Sequence, residues 1–146
     1  MVVTALTLAT LLVAVVAISE WDLRRQGYRM RRTPPTKQIG HQFGPEAITV
    51  HGGTRIGIWN ADWFNKVALT ADESCARLEG IPPVWIRRAD VSTVRRISGL
   101  LGSGIRFDTP SGDLDGVIFW SRTVPNVLVE LERLGWPVTP ERRRAE

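Results

Sequence analysis

Residues 2–19, VVTALTLATLLVAVVAIS, contain no charged side chain over 18 positions. As a helix this run is about 27 Å long, close to the roughly 30 Å of a bilayer's hydrocarbon core. The hydroxyls of Thr4, Thr7 and Thr10 can bond back to helix carbonyls, so they do not break the run. A cleavable leader would carry cations before the apolar stretch, but only Met1 precedes it, and Val15-x-Ala17 is a weak cleavage pattern. The cations come after it, in RRQGYRMRR at 24–32. The pattern therefore predicts a membrane anchor over residues 1–22: one uncleaved transmembrane helix, N-terminus out and C-terminus in, with a cytoplasmic domain at the cell membrane. Trp21 and Tyr28 suit the interface. Arg24, Arg25, Arg29, Arg31 and Arg32 could each gain about 1 kcal/mol against anionic headgroups.

The formal charge is +4, but it is unevenly spread. Residues 1–37 carry a net +4, residues 38–138 a net −1 and residues 139–146 a net +1. A near-neutral body lacks the phosphate-neutralising surface that nucleic-acid binding needs. The single cysteine, Cys75, can form no internal disulfide and has no partner for a zinc site.

Residues 23–46 read as a basic juxtamembrane segment and linker, with Pro34-Pro35 stiffening the stretch RRTPPTKQIGHQFGPEA. His41 lies in that tether and reads as solvated; His51 has no second ligand at metal spacing. From residue 47 to 138 short β segments with turn punctuation follow. Gly52-Gly53 separates AITVHGG from TRIGIW, residues 66–80 break at 71–73, and residues 84–97 turn near 88–90. In 123–135, Val124, Val127, Leu128, Leu131 and Leu134 recur at helical spacing, with Thr123 as N-cap, Pro125 in the first turn and Gly135 at the end. The expected body is mainly β: about seven antiparallel strands in a partial barrel or sandwich, capped by this amphipathic helix. Residues 139–146, rich in mixed charge, read as a disordered tail.

The order of elements, carried by VWIRRADVSTVRR (84–96), GIRFDTPSGDLDGVIFWS (104–121) and VLVELERLGWPV (127–138), resembles membrane-anchored, actinobacterial-type PH-like domain proteins. The likeness covers residues 50–138. It implies a binding or scaffold domain without a cofactor, not an enzyme. It departs from lipid-binding PH domains at WNADWFN (59–65), which offers aromatics and Asp62 in place of a cluster of cations.

Asp108, Asp113 and Asp115 are the residues that could carry acid–base or metal chemistry. An EF-hand loop from Asp113 would need Glu at position 124, which is Val. The segment reads instead as a hairpin turn, with Pro110 at i+1 and Gly112 at i+3, and Asp108 beside Arg106 on the polar face. An enzyme using the three aspartates is a remote alternative, and no catalytic, metal or cofactor residue is assigned. Trp85, Trp120 and Trp136 read as core, whereas Trp59 and Trp63 are open between core and interface. Neighbouring strand residues face opposite sides, so Arg87-Arg88 and Arg95-Arg96 each split. The leading expectation is a membrane-tethered adaptor that binds a protein partner through Trp59, Trp63, Phe64, Arg87 and Arg95. The alternative is recognition of anionic lipid by the basic juxtamembrane segment.

Overall fold

The computed structural model describes residues 2–25, 39–56, 60–80, 83–99, 102–115 and 117–140; the side chains of 2–4, 6, 55–56 and 60–66 lie outside the described set. Helix α1 (Val2–Arg25) precedes strands β1 (Ile48–Ile56), β2 (Asn60–Ala71), β3 (Cys75–Leu78), β4 (Val84–Arg87), β5 (Thr93–Gly99), β6 (Gly102–Asp108) and β7 (Val117–Trp120), and helix α2 (Val124–Arg133) ends the fold. All seven strands join one antiparallel sheet in the order β4-β3-β2-β1-β7-β6-β5.

The two edge strands, β4 and β5, are consecutive in the chain and joined only by residues 88–92, three of them in a 3₁₀ turn. Six residue steps reach at most about 22 Å, whereas the edges of a flat seven-stranded sheet lie about 29 Å apart at the usual strand spacing. The sheet must therefore curl. The bend runs through β1. Its first half pairs with β2 alone; from Gly53 on it also pairs with β7, and its register shifts between Gly52 and Thr54. The glycine pair is thus not a turn between two strands, as the punctuation suggested, but the bend within one. A Cβ on Gly52 would sit 2.1 Å from the Trp120 carbonyl oxygen and 2.7 Å from the Phe119 ring. The two halves of the sheet close up because that side chain is missing.

The concave face buries Leu69, Leu78, Val84, Ile86, Val94, Ile105, Phe107 and Phe119 against Val124, Val127 and Leu131 of α2. α2 ends in a Schellman motif. Gly135 is left-handed (φ 82°), its N–H bonds the Glu132 carbonyl at 2.9 Å, and the Trp136 N–H bonds the Leu131 carbonyl at 2.9 Å. This reversal drives Trp136 into the core. Its indole Nε1–H donates to the Asp72 carbonyl at 2.7 Å, and its ring meets Phe107 edge-on at 5.6 Å. Just beyond, Val94 N–H bonds the Pro137 carbonyl at 2.7 Å and Thr139 N–H bonds the Val94 carbonyl at 2.8 Å, a short parallel addition to the β5 edge.

The expected transmembrane helix is corrected: among the described residues no helix is long and apolar enough to cross a membrane. The helix runs on past Ser19 through Glu20, Asp22, Arg24 and Arg25. Its end is not a free stalk either. Leu23, 1% exposed, packs on Ile97 and Ile118, with Trp120 beside them, on the convex face of the sheet.

Trp136→Ala is expected to lower the unfolding free energy by about 3–5 kcal/mol. Trp136→Phe keeps the ring contact and strands only the Asp72 carbonyl, at about 1–2 kcal/mol. Urea unfolding of both variants checks the order.

Candidate functional site

Three groupings of polar or aromatic side chains stand out. The first lies in the 108–115 hairpin. Gly112 N–H bonds the Thr109 carbonyl at 3.0 Å, making the Pro110-Ser111 turn, and further turns close from Asp115 to Gly112 and from Val117 to Leu114. β6 alternates Ile105 and Phe107 inward with Arg106 and Asp108 outward, so Arg106 stands on the convex face. It is only 5% exposed. Its Nε meets Asp108 Oδ1 at 2.5 Å and its Nη2 meets Asp115 Oδ1 at 3.1 Å; Arg95 Nε takes the other Asp108 oxygen at 2.7 Å. A buried guanidinium without such partners would be strongly unfavourable, so Asp108 and Asp115 are held as its counter-charges. Asp113 is exposed, and its backbone N–H bonds the Thr109 hydroxyl at 3.1 Å. Arg95, Arg106, Asp108 and Asp115, with residues 109–112, line an open depression of about 480 Å³. The two arginines and two carboxylates around it balance.

The second grouping was not legible in the sequence. Asp72, at the β2–β3 turn, is 7% exposed. Its Oδ1 accepts Ser74 N–H at 2.8 Å, Ser74 Oγ–H at 3.0 Å and Cys75 N–H at 2.9 Å, and its Oδ2 lies 2.6 Å from His41 Nε2. Burial alone would raise its pKa; the hydrogen bonds from His41, Ser74 and Cys75 outweigh that and hold the carboxyl well below the usual range. His41 is therefore not a solvated tether residue. It meets Phe43 edge-on at 5.2 Å, and Phe43 stacks on Trp85 at 6.0 Å with the rings 4° apart. The Arg77 guanidinium lies over the Trp85 ring, 5.2 Å from its centroid. Trp85 thus stands half-buried outside the core, with Phe43 packed on it, because it alternates with the core residues Val84 and Ile86. No local signal joins His41 to a carboxylate 31 residues away. Beside Asp72, burial and the nearby carboxylate push the Cys75 thiol pKa up, which suppresses the nucleophilic thiolate.

The third grouping is the docked end of α1. Leu23 is buried there, whereas Trp21, Arg24 and Arg25 are exposed, and the Arg25 guanidinium sits 4.4 Å from the Trp21 ring centroid. Tyr28, Arg29, Arg31 and Arg32 lie outside the described residues, as does Trp59; Trp63 and Phe64 fall on β2, but their side chains lie outside the described set. Of the expected partner surface, Arg87 is exposed on edge strand β4 and Arg95 is paired to Asp108 on the opposite edge strand. The arginine pairs do split: Arg88 Nη1–H donates to the Gly135 carbonyl at 2.9 Å and Arg96 Nη2–H to Ser103 Oγ at 2.8 Å. Among the described residues no three His, Cys, Asp or Glu side chains gather as a metal site. Comparison with protein-family models, curated proteins and solved structures finds no match.

Two outcomes follow from these contacts. Asp72 gains stability from a lowered pKa, so its contribution is complete above the ordinary value of 3.8 and drains away as the pH falls below it. Asp72→Asn should cost about 1.5–3 kcal/mol at neutral pH, with the gap to the parent narrowing in acid; urea unfolding between pH 7 and 2.5 measures it. Asp108→Asn should cost about 2–4 kcal/mol by removing a counter-charge from buried Arg106, seen as a lower urea midpoint.

Proposed function

We propose that the chain is a non-enzymatic adaptor of the PH-like kind, which works at the cytoplasmic face of a cell membrane and engages a protein segment there. The observation that carries this reading is the contrast along α1. Leu8, Leu11, Leu12, Val13, Val16 and Ile18 are each more than half exposed, yet five residues after Ile18 the same helix is clamped to the domain by Leu23. An exposed apolar element fixed to a folded domain is a means of holding that domain at a surface.

The sheet order supports the PH-like part of the reading. One bent strand serves both halves of the sheet, and a C-terminal helix fills the concave side. The carboxylates that could have served catalysis are engaged otherwise: Asp108 and Asp115 hold Arg106, and Asp72 holds His41 and the β2–β3 turn. Trp59, Trp63, Phe64 and Arg87 are the proposed partner-contacting residues, with Arg95 contributing through the face it shares with Asp108.

A second reading, direct recognition of anionic lipid, is favoured by the exposed Arg24 and Arg25 at the end of the apolar stretch. Exposed cations at such a boundary gain energy from anionic headgroups, and salt screens that gain.

A crosslinked pull-down of the full chain from native membranes is expected to yield a discrete protein neighbour that Trp59→Ala with Trp63→Ala removes. Recovery of lipid alone, abolished by Arg24→Glu with Arg25→Glu, would contradict the adaptor and favour lipid recognition.

A further inference from the structure

The exposed apolar residues of α1 do not form a stripe. At 100° per residue, positions 8, 11, 12, 13, 16 and 18 point over more than half of the helix circumference. A partner helix would cover one stripe, whereas an environment that surrounds the helix covers all of them. The occupant that fits is a lipid surface, bounded by Trp21 and the exposed Arg24 and Arg25. Contact with lipid needs no crossing of the bilayer.

This placement also orients the domain. From Ile18 to Leu23 the helix advances only about 8 Å, comparable to the thickness of one headgroup layer, about 5–8 Å. Leu23 is buried on Ile97 and Ile118, with Trp120 packed alongside. In the sheet Ile97 and Trp120 both pair with Gly104 and Ile118 pairs with Arg106, so Leu23 docks from the Gly104 level, the end of the convex face at which β7 stops at Trp120, to the Arg106 level. We infer that this end of the convex face rests at the headgroup layer of the membrane that receives α1. The inference rests on the membrane reading given above.

Positions elsewhere in the domain are then further away. Asp108 lies four residues along β6 from Gly104, about 13 Å, and the turn at Ser111 projects beyond it. α2 covers the opposite, concave face of the sheet, so exposed Glu132 lies on the far side. Arg122 is exposed two residues after Trp120, and the Ser121 N–H bonds back to Ser103 at 3.4 Å, which keeps Arg122 at the proposed contact end.

The test uses the full chain with single cysteines introduced by Arg122→Cys, Ser111→Cys or Glu132→Cys, each labelled with an environment-sensitive fluorophore; native Cys75 is buried. The labelled proteins are mixed with phosphatidylcholine–phosphatidylserine vesicles carrying a headgroup spin label. The expected result is co-flotation of all three, with quenching at position 122 several-fold stronger than at 111 or 132. Leu23→Asp should leave flotation intact and reduce quenching at 122 to the level at 132. Co-flotation with equal quenching at 122 and 132, or stronger quenching at 111, would overturn the orientation while leaving the membrane reading standing. Failure of the parent chain to float would overturn both.

Discussion

The indole of Trp136 joins parts of the chain that are far apart in sequence. Its N–H satisfies the carbonyl of Asp72 at the β2–β3 turn in one half of the curled sheet, and its ring rests on Phe107 of β6 in the other. It reaches that position because Gly135 adopts a left-handed conformation that reverses the chain at the end of α2. A side chain there would be strained and would meet the Arg88 guanidinium at 2.6 Å. With Trp136 seated, Pro137 and Thr139 fall into register with Val94, and the β5 edge is partly paired. The same element thus fills the core, closes the curl and shields an edge that would otherwise be open to strand addition.

The curl leaves two faces with different tasks. The concave face is apolar and closed by α2. The convex face carries what an apolar interior could not accept: the Arg95–Asp108–Arg106–Asp115 cluster, the Arg77–Trp85–Phe43 stack and the docking point of Leu23. Arg106 shows how narrow the margin is. It is nearly as inaccessible as the core residues beside it, and the carboxylates of Asp108 and Asp115 make that burial tolerable. The segment that reads as a hairpin turn in the sequence is therefore also a counter-ion for its own strand.

Much of this was legible in the residues themselves. The period of Val124, Val127, Leu128, Leu131 and Leu134 located α2, with Gly135 marking its stop. Pro110 and Gly112 announced their turn, and the alternation in β6 placed Arg106 and Asp108 on one face. Three features were not legible, each because a distant contact decided it. Gly52-Gly53 has the composition of a turn, but β7 packs so close that the glycines serve as a bend within one strand. His41 lies in a polar, proline-containing stretch, and only the folded turn at Asp72 gives it a partner. The uncharged run near the N-terminus suggested a spanning helix, yet among the described residues the helix carries on into charged turns that pack on the sheet, and no stretch long and apolar enough to cross remains.

The claim on which the fold account turns is that Trp136 locks the end of α2 into both halves of the sheet. Hydrogen exchange of its indole N–H, followed by NMR alongside the Val94 amide, measures that directly. The account predicts that both exchange as slowly as the Ile105 and Phe107 amides of β6, opening only with the whole domain. An indole N–H that exchanges at the rate of a solvent-exposed tryptophan, while β6 stays protected, would contradict it.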